Sequence, residues 1–164
     1  MNKRLLVLCS VLLSASMAMA ADKLVSEWNC AKSSDAHSID VGDQANHSYA
    51  VTKTTCTAVK SEIGGVKEKE GVGTGFTETK GDQTSWHGVF VVTMANGDQI
   101  HYSYSNKGMG TNKDGQFQSG ANQWSIVGGT GKFKGAKGSG TCQGKGNADG
   151  GATWNCEGTY TLAK

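Results

Sequence analysis

Ser125-Ile-Val-Gly-Gly-Thr-Gly-Lys-Phe-Lys-Gly-Ala-Lys-Gly-Ser-Gly-Thr-Cys142 decides how this chain reads. It opens as a strand, with Trp124 and Ile126 two residues apart. It breaks at Gly128-Gly129-Thr130-Gly131, then restarts with Gly135, Gly138, Gly140, Gly144 and Gly146. A helix tolerates such a run badly, since each interior glycine costs about 1 kcal/mol relative to alanine. A bent or coiled sheet can use it, because glycine allows kinks and close backbone approach. Gly128, Gly129 and Gly131 are therefore expected to form a structural turn. A phosphate loop is the competing reading. It fails on spacing, which is G-x-G-x-x-x-G, and on the strand-like stretch that follows where a helix N-terminus is required.

Outward from this stretch the pattern stays strand-like. Ser26, Trp28 and Cys30 alternate on one face, and Tyr49 to Val59 suits one bent strand. Gly64-Gly65 and Gly81-Asp82 mark turns, and Gly71 to Glu78 is a glycine-interrupted strand. Ala36 to Asn46 and Gly108 to Gly115 read as loops. Asn96-Gly97 carries a type I′ hairpin signal. A two-residue loop there pairs Val91 with Tyr102 and Val89 with Tyr104, and puts His87 and His101 on opposite faces. Both faces carry bulk, so cover on both sides is expected. In the last strand Trp154, Cys156, Gly158, Tyr160 and Leu162 face inward. Seven or eight short strands, no persuasive helix and no proline describe an all-β fold, a closed antiparallel barrel or a sandwich. The glycine load favours closure into a calycin-like barrel of about eight strands.

The N-terminus reads as a secretory leader. A basic start (Met1 to Arg4) precedes an apolar core, and Ala18-Met19-Ala20 supplies a cleavage site, so residues 1–20 are expected to be removed. Residues 21–164 then form one domain with an N-terminal arm over about 21–47, exported to a bacterial periplasm or beyond. No stable membrane insertion is expected after cleavage. Lys3 and Arg4 fall in the leader, so what remains is charge-neutral and holds no arginine. That argues against a nucleic-acid partner. Cys30, Cys56, Cys142 and Cys156 remain, an even number suited to an oxidising compartment. They allow three pairings. A hairpin folded about Asp149 sets Cys142 opposite Cys156 and leaves Cys30 for Cys56. No C-x-x-C spacing suggests a metal.

Ile126-Val-Gly-Gly-Thr-Gly-Lys-Phe-Lys-Gly-Ala-Lys-Gly138 resembles the motif of the allene oxide cyclase and dirigent-protein superfamily. In that family a strand ends in Gly-Gly-Thr-Gly-Lys-Phe and a small-residue run follows. The resemblance implies an eight-stranded antiparallel barrel. The strong local match covers about 15 residues, and the strand pattern extends it loosely over 49–162. The motif is structural in that family, and the polar and acidic residues at the barrel mouth of its active members have no residue-by-residue match here. The chain also resembles small exported bacterial proteins with this barrel.

No catalytic constellation stands out. G-x-S-x-G is absent, and the four histidines lack ligand spacing. The aromatic set Trp86, Tyr102, Tyr104, Trp124, Trp154 and Tyr160 suits either a packed core or a lined cavity. Trp86, Tyr102, Tyr104, Glu78 and His87 are the candidate ligand-binding residues, with Glu78, His87 and Tyr104 able to meet inside a barrel. The leading expectation is a non-catalytic exported barrel, without cofactor or metal, that binds a small apolar or aromatic ligand or a partner, with room for oligomerisation. The rival is a cofactor-free cyclase, isomerase or dirigent-like protein steering a reactive intermediate, which requires an open cavity with an acid or histidine deep inside. A third reading is a secreted inhibitor or surface-interaction protein.

Overall fold

The computed structural model describes residues 21–106 and 110–163; the leader expected over 1–20 lies outside the described residues. Eleven strands are seen among them: β1 (Asp22–Cys30), β2 (Asp35–Asp40), β3 (His47–Lys60), β4 (Glu62–Ile63), β5 (Val66–Lys80), β6 (Gln83–Met94), β7 (Gln99–Ser105), β8 (Gly110–Lys113), β9 (Gln116–Gly129), β10 (Lys137–Gly146) and β11 (Ala152–Thr161). One 3-10 turn, Gly131–Phe133, follows β9. Eight strands close an antiparallel barrel in the order β1-β3-β5-β6-β7-β9-β10-β11, with β11 returning to β1. Closure removes the exposed edges that an open sheet of this size would carry. The remaining strands are additions: β2 prolongs the β1 position along β3, β8 continues the β7 position between β6 and β9, and β4 folds back on β5.

Three expectations need correction. Residues 21–47, expected as an arm, supply the wall strand β1 as well as β2, and β2 occupies most of the supposed 36–46 loop. The expected 108–115 loop contains β8. The Asn96-Gly97 hairpin is not a two-residue type I′ turn. Met94 N donates to Asp98 O (2.9 Å) and Gly97 N to Met94 O (3.0 Å), so the loop is Ala95, Asn96 and Gly97. Only Gly97 takes positive φ (86°), whereas type I′ needs it at both central residues. The type I′ geometry sits instead at Gly64-Gly65 (φ 57° and 76°), between β4 and β5.

The extra loop residue moves the register by one, and a one-residue slip exchanges the two faces. Phe90 pairs with Tyr102 and Gly88 with Tyr104, while Val91 pairs with His101 and Val89 with Ser103. Tyr102 and Tyr104 thus point inward with Phe90 and Val92. His87, Val89 and His101 share the outer face. That face is not covered, since Val89 is 44% exposed.

The Gly128–Phe133 motif closes one end of the barrel. Phe133, fully buried, sits with Ile63, Val92, Met94 and Ile100. Lys132 N donates to Asp98 Oδ2 (3.0 Å), Gln99 N donates to Thr130 Oγ1 (2.8 Å), and Lys132 Nζ reaches Gly64 O (2.5 Å). Gly131 takes φ 48°, and a Cβ there would meet the Asp98 carboxyl. Gly129 has ordinary φ but faces the Phe133 carbonyl, 2.6 Å from where a Cβ would stand. A side chain is thus disfavoured at both positions, for two different reasons. Disulfides Cys30–Cys56 and Cys142–Cys156 join directly paired residues of β1 with β3 and β10 with β11.

Candidate functional site

The opposite end of the barrel is open, and a cavity of about 570 Å³ runs in from it. Residues of the β1–β2 connection (Lys32, Ser33), the β8–β9 turn (Gly115) and the β10–β11 turn (Ala148 to Gly151) frame the mouth. That volume suits one small organic molecule.

Aromatic rings line it at two depths. Near the mouth, Phe117 stacks on Trp154 (5.6 Å, 19°), and Trp86 meets both edge-on (5.7 and 6.1 Å). Deeper, Trp28 and Phe90 form an edge contact at 5.0 Å; Phe90 lies 6.5 Å from Tyr102, which meets Trp124 at 5.6 Å and 88°. Inward glycines explain why these rings do not fill the barrel. Trp124 lies over Gly140 and Gly158, where a Cβ at either position would stand 2.5 Å from the indole, and Phe90 covers Gly71. The rings lie against the wall, and the space in front of them is the cavity. Trp86 is fixed at both ends: its Nε1 donates to Asn122 Oδ1 (2.5 Å) and its backbone N to Asn106 Oδ1 (2.7 Å). Trp124 Nε1 is buried with no hydrogen-bond partner among the described residues.

The cavity floor is polar at one point. A bulge in β5 between Glu68 and Glu70 breaks the alternation and turns Glu68 inward, in line with Gly71, Gly73 and Gly75. Glu68 is 6% exposed. Its Oε1 accepts from Tyr102 Oη (2.8 Å) and its Oε2 from Ser61 Oγ. Burial raises the proton affinity of this carboxyl, against the lowering effect of the two hydroxyls. Burial also pushes the Tyr102 phenol well above its usual range, the Glu68 charge adding to it, and raises Tyr104.

Of the five candidate ligand-binding residues, Trp86, Tyr102 and Tyr104 line the cavity, and Glu78 and His87 do not. His87 lies on the outer wall, stacked on the exposed Phe76 (5.5 Å, 25°). Glu78 belongs to an outer cluster: its Oε1 accepts from His47 Nε2 (3.0 Å) and from Tyr49 Oη (3.1 Å), while His47 Nδ1 lies 2.6 Å from Asp43 Oδ1. Two carboxylates raise the His47 proton affinity, Asp43 foremost, and His47 in turn lowers both. The cluster pins the β2–β3 connection to the wall. Trp124 and Trp154 also line the cavity, while Tyr160 belongs to the closed end, accepting from Gly64 N (2.9 Å). Glu68, Trp28, Phe90 and Phe117 also line the cavity and are not among the candidates the sequence offers for ligand binding. Glu68 sits in Lys67-Glu-Lys-Glu70, which reads as a solvated charge run.

No protein-family model matches this chain, and neither does any curated protein. Solved structures do. One pterocarpan synthase dirigent protein matches at a TM-score of 0.50 and 14% identity, over 94% of this chain and 98% of its own. A second pterocarpan synthase dirigent protein gives 0.50 and 14%, over 88% and 97%. A DUF3224-family protein of unknown function from Shewanella oneidensis MR-1 gives 0.52 and 14%, over 88% and 99%. The chain therefore shares the closed barrel of the dirigent-like structures, as the Gly128–Phe133 motif implied, and at this identity the likeness is one of fold.

Proposed function

We propose that this is an exported barrel that binds a small aromatic molecule inside its cavity, ring system against Trp28, Trp86, Phe90 and Trp154 and polar end toward Glu68. The observation that carries this reading is the aromatic-lined cavity of about 570 Å³ with a carboxyl at its closed end. A packed barrel needs neither the space nor the buried acid. Four cysteines joined in two disulfides fit an oxidising compartment, and the leader-like residues 1–20 fit export to it. The test is a fluorescence titration with N-phenyl-1-naphthylamine, a neutral dye that brightens in apolar sites. Saturable one-to-one binding, weakened about tenfold by Trp154→Ala, is expected; binding unaffected by that change would place the dye elsewhere and sink the reading.

Glu68 supports a second reading, a cofactor-free catalyst of proton transfer. A carboxyl with raised proton affinity at the end of an open cavity is suited to general acid–base work. Here the proton at a carbon next to a carbonyl would pass to the ionised carboxyl, leaving an enolate, and the carboxyl, after exchanging with solvent, would return a proton or deuteron to that carbon. Deuterium exchange into 2-tetralone, followed by NMR, checks this. The protein should accelerate exchange over buffer, and Glu68→Gln should remove the acceleration.

A further inference from the structure

The charge inside the cavity is unbalanced. Among the described residues, the charged side chains along the lining are Lys32 and Asp149, both at the mouth, and Glu68 at the floor. Glu68 is held by two neutral hydroxyls, Ser61 from the β3–β4 connection and Tyr102 from β7, and its register partner on β6 is Met94. Among the described residues no lysine or histidine pairs with it; the two ion pairs found both belong to His47 on the outer wall. A carboxylate left without a counter-charge in apolar surroundings is costly, and the usual remedy is to hold its proton. From Tyr102, which donates to Glu68, a chain of ring contacts runs along the lining of the same cavity to Trp124 on one side and through Phe90 to Trp28 on the other. Ring faces attract cations, most strongly where water is excluded.

We infer that the cavity selects an organic cation, an ammonium or N-alkylated heteroaromatic group, which sits among Trp28, Phe90, Tyr102 and Trp124 with the Glu68 carboxylate as its counter-ion. This rests on the cavity being the ligand site, and it names the class of ligand. A neutral ligand gains only apolar burial there. A cation gains the ring faces and the carboxylate as well, and an anion is repelled. Binding of the cation expels the Glu68 proton to solvent, so one proton is released per ligand at pH values where the empty site is protonated.

The experiment compares two probes of equal shape, trimethyl(naphthalen-2-ylmethyl)ammonium and neutral 2-neopentylnaphthalene, by calorimetry in buffers of different ionisation heat. At pH 8 the cation should bind about tenfold more tightly than the neutral probe. The preference should shrink as pH falls toward the ordinary carboxylate range, as Glu68 keeps its proton. Glu68→Gln should cut the preference to what the rings alone supply, remove its pH dependence, and leave the neutral probe bound. Equal affinities at pH 8, or a preference that is undiminished by Glu68→Gln or shows no pH dependence in the unaltered protein, overturn the inference and leave aromatic binding standing. If neither probe binds, both this inference and the ligand-binding reading fall.

Discussion

The two ends of the barrel are built on opposite rules. At the closed end Phe133, Ile63, Met94, Ile100 and Val92 are buried almost completely, and backbone and side-chain hydrogen bonds tie the Gly128–Phe133 turn to Asp98, Gln99 and Gly64. At the open end larger rings meet at 5.6 to 6.1 Å around empty space. Cohesion is concentrated where there is no room for a ligand, and room is kept where the wall has been thinned by glycine. Large aromatic side chains alone do not fill a barrel; whether they do depends on what stands behind them.

Substitutions can break this contrast. Phe133→Ala should cost the most, about 3–5 kcal/mol in denaturant unfolding, because a fully buried ring leaves a cavity. Trp154→Ala, which removes a larger ring at the open end, should nonetheless cost clearly less; equal losses would erase the distinction between the ends. Removing either disulfide as a Cys→Ser pair should cost about 3 kcal/mol for Cys142–Cys156 and slightly more for Cys30–Cys56, whose loop is longer (26 residues against 14). Gly131→Val should cost about 1–3 kcal/mol from positive φ and crowding against Asp98. An unchanged melting temperature there would refute the turn as the closing device.

Smaller effects report on charge. Burial raises the Glu68 pKa, so this group favours folding least at high pH: its cost grows as pH rises from the ordinary carboxylate range through the raised value. Glu68→Gln should therefore raise the melting temperature more at pH 8 than at pH 4; the reverse trend would mean that the carboxylate is satisfied by its hydroxyl partners. The His47 cluster behaves oppositely. His47 has a raised pKa, so its contribution is complete below the ordinary histidine range and is lost as pH rises through the raised value. Asp43 and Glu78 have lowered values, so theirs is present above the ordinary carboxylate range and lost as pH falls. His47→Gln should thus be felt most between the two ranges, near pH 5–6, and weakly, since both carboxylates are accessible to water. A larger effect at pH 9 would argue against the charged form.

Much of the wall was legible from local pattern. The alternation in 152–162 predicts the inward face of β11, and the symmetry about Asp149 predicts the Cys142–Cys156 pair. The site was legible only in part. Trp86, Tyr102 and Tyr104 are visible in the sequence as aromatics in strands, yet a two-residue loop sets the tyrosines opposite Val91 and Val89, and the observed register sets them opposite Phe90 and Gly88. Nothing in the local pattern bars Glu78 and His87 from meeting Tyr104 inside the barrel, and the observed register places both outside.

By itself the sequence determined the all-β class of the fold and favoured the disulfide pairing that the structure shows, because strand period and hairpin symmetry are local properties. Only the tertiary structure decided what faces the cavity. The orientation of a strand residue depends on parity, and a single inserted residue reverses it. One such residue, in the Ala95–Gly97 loop, turns Tyr102 and Tyr104 inward; another, the bulge beside Glu68, places the carboxyl on the floor. Both are settled by pairing with distant strands and by closure, which no local pattern records.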